Sequence, residues 1–327
     1  MKILFLDAVC PKPYDRHTLD TEGMGGSEST LVRVAEALAK THEVDVIQHN
    51  RVEGSYVGGV NYAGMLNPKY DVVIVQRNFA LVPIMRAQYP SAKIILWMHD
   101  VMPPSFTYDA QALADAKCTI VCVSSFHRNL VDDLVHRAKL STSLPRVVIN
   151  NLVQEPNFGS SLEVDSDKLF FASTPAKGLN HTLRLFQNFA SFPKLANLKL
   201  YYCNPGYADS LETSIPNVIN LGSIPTRAVQ YHMATSWVVL SANTTFRETY
   251  GNVFAESLQN GTPFLAHDMA SGVKDISTDP RLFVNMADNK KVIERLIEWR
   301  TYGRPLVEGP SSPNAEIVHS WLTIVSK

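Results

Sequence analysis

The chain lacks a strong excess of charge of either sign. Its 327 residues contain 30 Lys and Arg against 31 Asp and Glu, which leaves a formal net charge of -1. Surfaces that bind nucleic acid or anionic membranes carry a basic excess, so the composition indicates neither partner. No apolar run approaches the roughly 20 residues that span a bilayer, and the opening MKILFLDAV is too short, and interrupted by Asp7, for a signal sequence. We therefore predict a buried first strand, no transmembrane segment and a cytoplasmic location.

Cysteine is scarce as well. Two of the four cysteines form a C-x3-C inside a β-branched run, which is not the spacing of a metal-ligand pair. The four are Cys10, Cys118, Cys122 and Cys203. Their scattered positions argue against a disulfide framework and favour a reducing compartment.

The dinucleotide-binding fingerprint is incomplete. The pair Gly25 and Gly26 lies well beyond the end of the first apolar run, and Glu28 stands where the third glycine would be. A nicotinamide-dependent dehydrogenase is therefore disfavoured.

Apolar, β-branched runs alternate with amphipathic segments along most of the chain. This alternation indicates parallel sheets covered by helices on both faces. The pattern lapses between Val153 and Lys168, in a stretch rich in Pro, Ser and acidic residues, and restarts after it. We predict an α/β fold with two Rossmann-like domains, residues 1–155 and 156–305, with the cleft between them as the default ligand site.

The stretch FRETYGNVFAESLQNGTP contains two glutamates on either side of a predicted helix start. The helix is predicted to begin near Tyr250 or Gly251 and to stop at Gly261, which places Glu248 in the preceding loop and Glu256 inside the helix. The first amides of such a helix form an anion site. A nucleotide sugar fits this layout, with its diphosphate at the helix start and a hydroxylated ring at each carboxylate. Taken alone, such a pair is typical of solvated surface.

Three further features sit where a ligand could bind. Gly25 and Gly26 precede an amphipathic helix, where backbone can approach a phosphate or can simply turn. Lys177, in the loop ASTPAKGL after the first strand of the second half, could neutralise a diphosphate, although an exposed lysine is common there. His99 follows an apolar strand in LWMHD, at the sheet edge where ligands bind, although a lone histidine is more often structural.

These features together resemble the retaining glycosyltransferases of family 4. The resemblance is carried by the E-x7-E spacing, by the glycine loop and by three segments, and it runs from Ile3 to about Ile276. The segments are VCVSSFHRNL, INLGSIPTRAVQYHMATSWVVLSA and NGTPFLAHDMASGVKDI. The part from Val218 to Asp275 matches the family most specifically.

The resemblance implies a GT-B fold in which the second domain binds the donor and the first binds the acceptor, while a tail helix in residues 306–327 packs back on the first domain. Glu248 would hold donor-sugar hydroxyls, Lys177 would face the diphosphate and His99 would lie near the reacting carbon. Glu256 would bind the ribose. The implied donor-binding set is Gly25, Gly26, Ser173, Lys177, Thr249, Tyr250, Gly251, Asn252 and Glu256.

The implied activity is transfer of a hexose, with GDP-mannose as the leading donor and UDP-glucose next, to a glycan or other hydroxyl acceptor without a cofactor or metal. We favour attack on the same face as the departing phosphate, because no second carboxylate is evident once Glu248 binds hydroxyls. The D-x-D string at Asp165–Asp167 is interpreted as solvated linker rather than a metal site. A homodimer is plausible.

Two departures from the family pattern keep alternatives open. Ala172 and Ser173 stand where many relatives have Gly-Arg, and Asn150–Leu152 replaces an Asn-Gly at the end of the first domain. A nucleotide-sugar-binding protein with little turnover and a GT-B sugar-nucleotide epimerase are the alternatives.

Overall fold

The computed structural model describes residues 1–140, 144–156, 158, 162–206 and 211–326. These residues form two compact units. Unit 1 contains Met1–His17, Ser27–Leu152 and Ser312–Lys327, and unit 2 contains Thr18–Gly26 and Val153–Ser311.

The described part of unit 1 is built on one eight-stranded sheet. Its strands are β1 (Lys2–Asp7), β2 (Glu43–Gln48), β3 (Ser55–Val57), β4 (Val60–Ala63), β5 (Val72–Gln76), β6 (Lys93–Met98), β7 (Thr119–Cys122) and β8 (Arg146–Val148). They lie in the order β3-β4-β2-β1-β5-β6-β7-β8, and every pair is parallel except β3 with β4. The order reverses between β1 and β5, so this is the switch point of the sheet.

Helices cover the unit 1 sheet, whose central strands are buried along nearly their whole length. The helices are α2 (Gly26–Ala39), α3 (Leu81–Gln88), α4 (Phe106–Asp115), α5 (Ser125–Arg137) and α11 (Asn314–Ser326). A short helix, α1 (Arg16–Thr21), begins in unit 1, and its residues from Thr18 onward belong to unit 2. Burial on both faces explains why these strands are continuous apolar runs.

The hairpin of β3 and β4 was not predicted. Its turn is Gly58 and Gly59, with φ of 62° and 78°, which only glycine adopts without strain. Two residues with positive φ give a turn whose twist matches the flanking strands. The string VGGV was therefore the signal, although β3 and β4, of three and four residues, are too short to show a clear apolar period.

The described part of unit 2 forms a six-stranded parallel sheet. Its strands are β9 (Asp165–Ala172), β10 (Lys199–Asn204), β11 (Val218–Ser223), β12 (Ser236–Leu240), β13 (Phe264–His267) and β14 (Phe283–Val284). The order is β11-β10-β9-β12-β13-β14, which is that of a Rossmann fold with its switch point between β9 and β12. The helices are α6 (Leu179–Gln187), α7 (Thr226–Ala234), α8 (Asn252–Gln259), α9 (Val273–Ile276) and α10 (Asn289–Tyr302).

The observed unit boundaries differ slightly from the predicted 155/156 and 305/306. The chain passes between units at Leu152–Val153 and at Ser311–Ser312, and the segment Thr18–Gly26 belongs to unit 2. The tail helix α11 is part of unit 1, where Trp321 packs against Trp97 at 4.7 Å between ring centroids.

The interpretation of Asp165–Asp167 as linker was wrong. These residues begin β9, where Asp165 pairs with Ser236, and the Asp167 carboxylate accepts a hydrogen bond from Arg300. The two aspartates lie at the exposed end of the strand, which tolerates polar side chains.

No helix among the described residues is long and apolar enough to cross a membrane.

Candidate functional site

The unit 2 site forms where the loops after β9 and β12 meet. These two strands are neighbours at the switch point, and the carboxyl ends of parallel strands lie at one edge of a sheet. The loop after β9 carries Ser173 and Lys177, and the loop after β12 carries Glu248. The topology therefore brings together residues that are far apart in the sequence.

Lys177 and Glu248 form an ion pair in this site. The Nζ of Lys177 lies 2.9 Å from Oε2 of Glu248, although the two residues are 71 positions apart. The Glu248 side chain is only 16% exposed. The same ammonium group lies over the phenyl ring of Phe246, with the ring centroid 4.4 Å from Nζ. A cation and a carboxylate are thus available at one sheet edge for phosphate and hydroxyl groups.

Helix α8 begins directly after this loop. Gly251 precedes it with φ of 96°, and its carbonyl accepts the amide of Phe254 at 2.9 Å, which starts the helical hydrogen bonding. The predicted start and the stop at Gly261, which has φ of 69°, are confirmed. The amides ahead of Phe254 are at the positive end of the helix dipole, where an anion is stabilised.

Glu256 is buried rather than solvated. It is 8% exposed, and at 1.5 Å per residue it lies about 7.5 Å along α8 from Gly251. Burial, followed by the charge of Glu256, raises the pKa of the Cys203 thiol to about 12. The surface interpretation of the glutamate pair therefore does not describe either residue.

Gly272 holds the loop before α8 in place. Its amide donates to the Glu248 carbonyl at 2.7 Å, and a Cβ on Gly272 would lie 2.0 Å from the Thr249 carbonyl oxygen. Only a residue without a side chain permits this approach. The loop that presents Glu248, Thr249 and Tyr250 is therefore defined by a tertiary contact with a glycine further along the chain.

The segment Thr18–Gly26 contributes the glycine loop to the same unit. The Asn252 side-chain amide donates to the Gly26 carbonyl at 3.0 Å, so the loop meets the first residue of α8. Gly23 packs so closely that a Cβ there would lie 2.2 Å from the Ser223 hydroxyl. Gly25 is buried and Gly26 is exposed. The structure thus places Gly26 beside the helix start, with Gly25 as its neighbour in the chain.

A polar network occupies the switch point of unit 1. Asp7 ends β1 and accepts hydrogen bonds from two main-chain amides and from the hydroxyl of Tyr14 at 2.7 Å. Arg77 follows β5 and contacts Glu28 at 3.1 Å and Asp100 at 2.7 Å. Arg77 has φ of 64°, a conformation uncommon for a residue other than glycine and characteristic of functional sites.

Asp7, Cys10 and Glu28 have ligand atoms within 4.8 Å of one another, which is close enough for a metal ion. The Asp7 oxygens already accept three hydrogen bonds, so Asp7 is part of a hydrogen-bonded network. Burial raises the pKa of the Cys10 thiol to about 11.

His99 lies in unit 1 immediately after β6. It is 6% exposed and packs on Trp97 at 4.6 Å between ring centroids. Burial, helped by the charge of Arg77, lowers the pKa of His99 well below its ordinary value. The imidazole is therefore neutral near pH 7.

The lowered pKa of the buried His127 predicts that unit 1 becomes less stable in acid. Burial lowers its pKa from 6.5 to about 4, and the Val123 amide donates to its Nδ1 at 3.3 Å. Between these pH values the unfolded chain binds a proton that the folded chain does not, so the free energy of unfolding should fall as the pH falls from 6.5 towards 4. Urea unfolding across this range should show a shallower decline in His127→Gln.

The exposed His319 offers a control for this experiment. His319→Gln should keep the wild-type pH dependence. If the free energy of unfolding fell equally steeply with pH in the wild type and in His127→Gln, His127 would not be the source of the acid sensitivity.

The sequence did not identify Asn243, Phe246, Gly272, Asp7 or Arg77. A polar residue directly after a buried strand was the available signal for Asp7 and Arg77, as it was for His99. An Asn followed by two threonines signals a turn at Asn243. Nothing in the local sequence distinguishes Phe246 or Gly272, because their roles arise from contacts with distant residues.

Comparison with solved structures identifies the fold. No protein-family model matches the chain, and no curated protein matches it. The structure described as trehalose-6-phosphate from E. coli bound with UDP-2-fluoro glucose is similar with a TM-score of 0.65 and 9% identity, covering 100% of this chain and 95% of that chain.

Two other solved proteins are similar to this chain in fold, also at low sequence identity. AviGT4, a glycosyltransferase involved in avilamycin A biosynthesis, has a TM-score of 0.62 and 13% identity over 99% of this chain and 97% of its own. The pneumococcal O-GlcNAc transferase GtfA, solved with UDP and GlcNAc, has a TM-score of 0.59 and 15% identity over 78% of this chain and 56% of its own. The two parallel α/β sheets and these similarities show that the chain has the GT-B fold.

Proposed function

We propose that this chain is a retaining glycosyltransferase of family 4, which transfers a hexose from a nucleotide sugar to a hydroxyl of a glycan or other acceptor. The observation that carries the proposal is the unit 2 site, where the Lys177–Glu248 pair lies just ahead of α8 and Glu256 is buried inside that helix. The motif resemblance and the GT-B fold support it.

The donor is proposed to lie along α8. Its diphosphate would accept hydrogen bonds from the amides of Tyr250, Gly251 and Asn252 and from Lys177, since phosphates bind at helix N-termini. Its hexose would donate hydroxyl hydrogen bonds to Glu248, and its ribose to Glu256. Ser173, Thr249 and the glycine loop of Gly25 and Gly26 would line the same site.

The chemistry follows from where charge develops. As the glycosidic bond to phosphate breaks, negative charge grows on the departing diphosphate, and donors fixed on it stabilise the transition state more than the ground state. Lys177 and the start of α8 supply those donors. We propose same-face attack in which the departing phosphate takes the acceptor proton. A covalent Glu248 adduct trapped with a slow donor and seen by mass analysis would contradict this mechanism.

Unit 1 is proposed to bind the acceptor, and His99 is the residue of that unit proposed to take part in catalysis. A neutral His99 can donate or accept a hydrogen bond without adding charge. The proposal needs no metal, because Lys177 and the helix dipole already oppose the charge of the diphosphate.

Calorimetric titration with GDP-mannose, UDP-glucose, UDP-GlcNAc, GDP and UDP tests the donor class. The motif resemblance favours GDP-mannose, whereas two of the similar structures were solved with uridine ligands. Saturable binding of one donor, followed by its turnover with an acceptor panel, is expected. Binding without hydrolysis or transfer would favour the binding protein, and no binding at all would overturn the proposal.

Replacing Glu256 by Gln tests the ribose contact. A charge-assisted hydrogen bond becomes a neutral one, so affinity for the nucleoside diphosphate should fall about tenfold, with little change in kcat at saturating donor. Titration and initial rates measure the two quantities. Glu308→Gln, at an exposed position of the same unit, is the control, and unchanged diphosphate affinity in Glu256→Gln would contradict the contact.

A further inference from the structure

Phe246 is an apolar side chain left 43% exposed at the edge of the unit 2 site. Its ring is not isolated, because the ammonium group of Lys177 lies 4.4 Å from the ring centroid. A cation over an aromatic face is attracted to the negative face of the ring. The ring therefore contributes to the position of a lysine that the proposed function assigns to the diphosphate.

The backbone of Phe246 is held by a single side chain. The Oδ1 of Asn243 accepts the amides of Thr245 at 3.2 Å and Phe246 at 2.9 Å, and its Nδ2 donates to the Phe246 carbonyl at 2.7 Å. Both main-chain polar groups of Phe246 are thus bound to Asn243, which is itself buried. The ring cannot leave Lys177 by a loop movement without breaking these bonds.

The turn that carries Lys177 rests on the same asparagine. Gly178 has φ of 98°, and a Cβ there would lie 2.7 Å from the Cα of Asn243. The hydroxyl of Thr182, one turn into α6, accepts the Ala242 amide at 3.1 Å. The lysine turn and the phenylalanine loop are therefore both anchored at Asn243, and this common anchor sets the distance between ammonium and ring.

Glu248 and Phe246 hold Lys177 in different ways. A donor sugar that hydrogen-bonds to Glu248 competes with the ion pair, whereas the ring has no polar group for which a ligand could compete. We propose that Phe246 is a positioning residue that keeps the Lys177 ammonium in place for the diphosphate when Glu248 engages the sugar. This proposal rests on the proposed function of the same site.

A double-mutant cycle on nucleoside diphosphate binding tests the proposal. GDP, UDP and the nucleotide sugars GDP-mannose and UDP-glucose, whose hexose engages Glu248 under the proposed function, are titrated into the wild type, Phe246→Leu, Phe246→Tyr, Lys177→Met and the double variant Phe246→Leu with Lys177→Met. Loss of an exposed cation–π contact should weaken binding about two- to fivefold in Phe246→Leu. Phe246→Tyr should retain wild-type affinity, and Phe246→Leu should have no further effect in the Lys177→Met background.

The controls separate positioning from stability and from the proposed function. Tyr302→Leu removes a different aromatic side chain, 86% exposed on α10, and should leave affinity unchanged, while the Tm of every variant should stay near that of the wild type. If Phe246→Leu weakened binding equally in the wild-type and Lys177→Met backgrounds, the positioning role alone would be overturned. Unchanged affinity in Phe246→Leu would overturn it as well. A wild type that binds neither GDP nor UDP would overturn the proposed function and this proposal together.

Discussion

Replacing Glu248 by Gln should lower the rate of hexose transfer by about a hundredfold, while affinity for the free nucleoside diphosphate stays equal or rises. In the proposed binding mode, two charge-assisted hydrogen bonds to the donor sugar would become neutral ones, and a hundredfold loss corresponds to about 2.7 kcal/mol. The carboxylate is also the partner of Lys177 at 2.9 Å. Without this carboxylate, the Lys177 ammonium group is available to the diphosphate. The diphosphate also no longer lies near another negative charge.

Initial rates and calorimetric titrations with the nucleoside diphosphate measure these two quantities. The opposite responses of transfer and diphosphate affinity are the signature, because general damage to the site would weaken both. Glu308→Gln, at an exposed position of unit 2, should leave both unchanged. Transfer at the wild-type rate in Glu248→Gln would contradict the role of this carboxylate.

Replacing Gly272 by Ala should destabilise unit 2 by about 3 kcal/mol and lower transfer roughly a hundredfold. The backbone of Gly272 is helical, with φ of -61°, so alanine is compatible with the local conformation. The cost is steric, because the new methyl group would lie 2.0 Å from the Thr249 carbonyl oxygen and 2.7 Å from the Tyr250 amide nitrogen. The loop must therefore move, and Glu248 with it.

Urea unfolding and initial rates measure the two effects. Gly309→Ala is the matched control, since the nearest atom to its new Cβ is the Gln259 side-chain oxygen at 3.7 Å, an ordinary contact. Wild-type stability and activity in Gly272→Ala would show that the loop before α8 tolerates displacement, and that the close approach of Gly272 to Thr249 is not required.

The sheets could be predicted from sequence because parallel strands buried on both faces are nearly continuous apolar runs. KILFLD and WVVL are examples, and their burial confirms the reason. Asp165–Asp167 were mistaken for linker because the exposed end of β9 lacks that signal. The start and stop of α8 were predicted because glycines at both ends have positive φ, a preference that is local.

The candidate site could be predicted only in part. Glu248, Glu256 and Lys177 could be selected from the sequence because they lie at a predicted helix start and in the loop after a predicted strand. The burial of Glu256 was not foreseeable, since a charged residue is exposed unless tertiary contacts bury it. Gly272 and Asn243 act through contacts with Thr249 and Gly178, and such approaches leave no trace in local propensity.

A crystal structure of the chain with a slow-reacting 2-fluoro analogue of the donor selected by titration tests the proposed donor site directly. The diphosphate is expected at the start of α8 and on Lys177, the ribose on Glu256 and the hexose on Glu248. A nucleotide sugar bound elsewhere in the molecule, with neither carboxylate in contact with it, would contradict the proposed function.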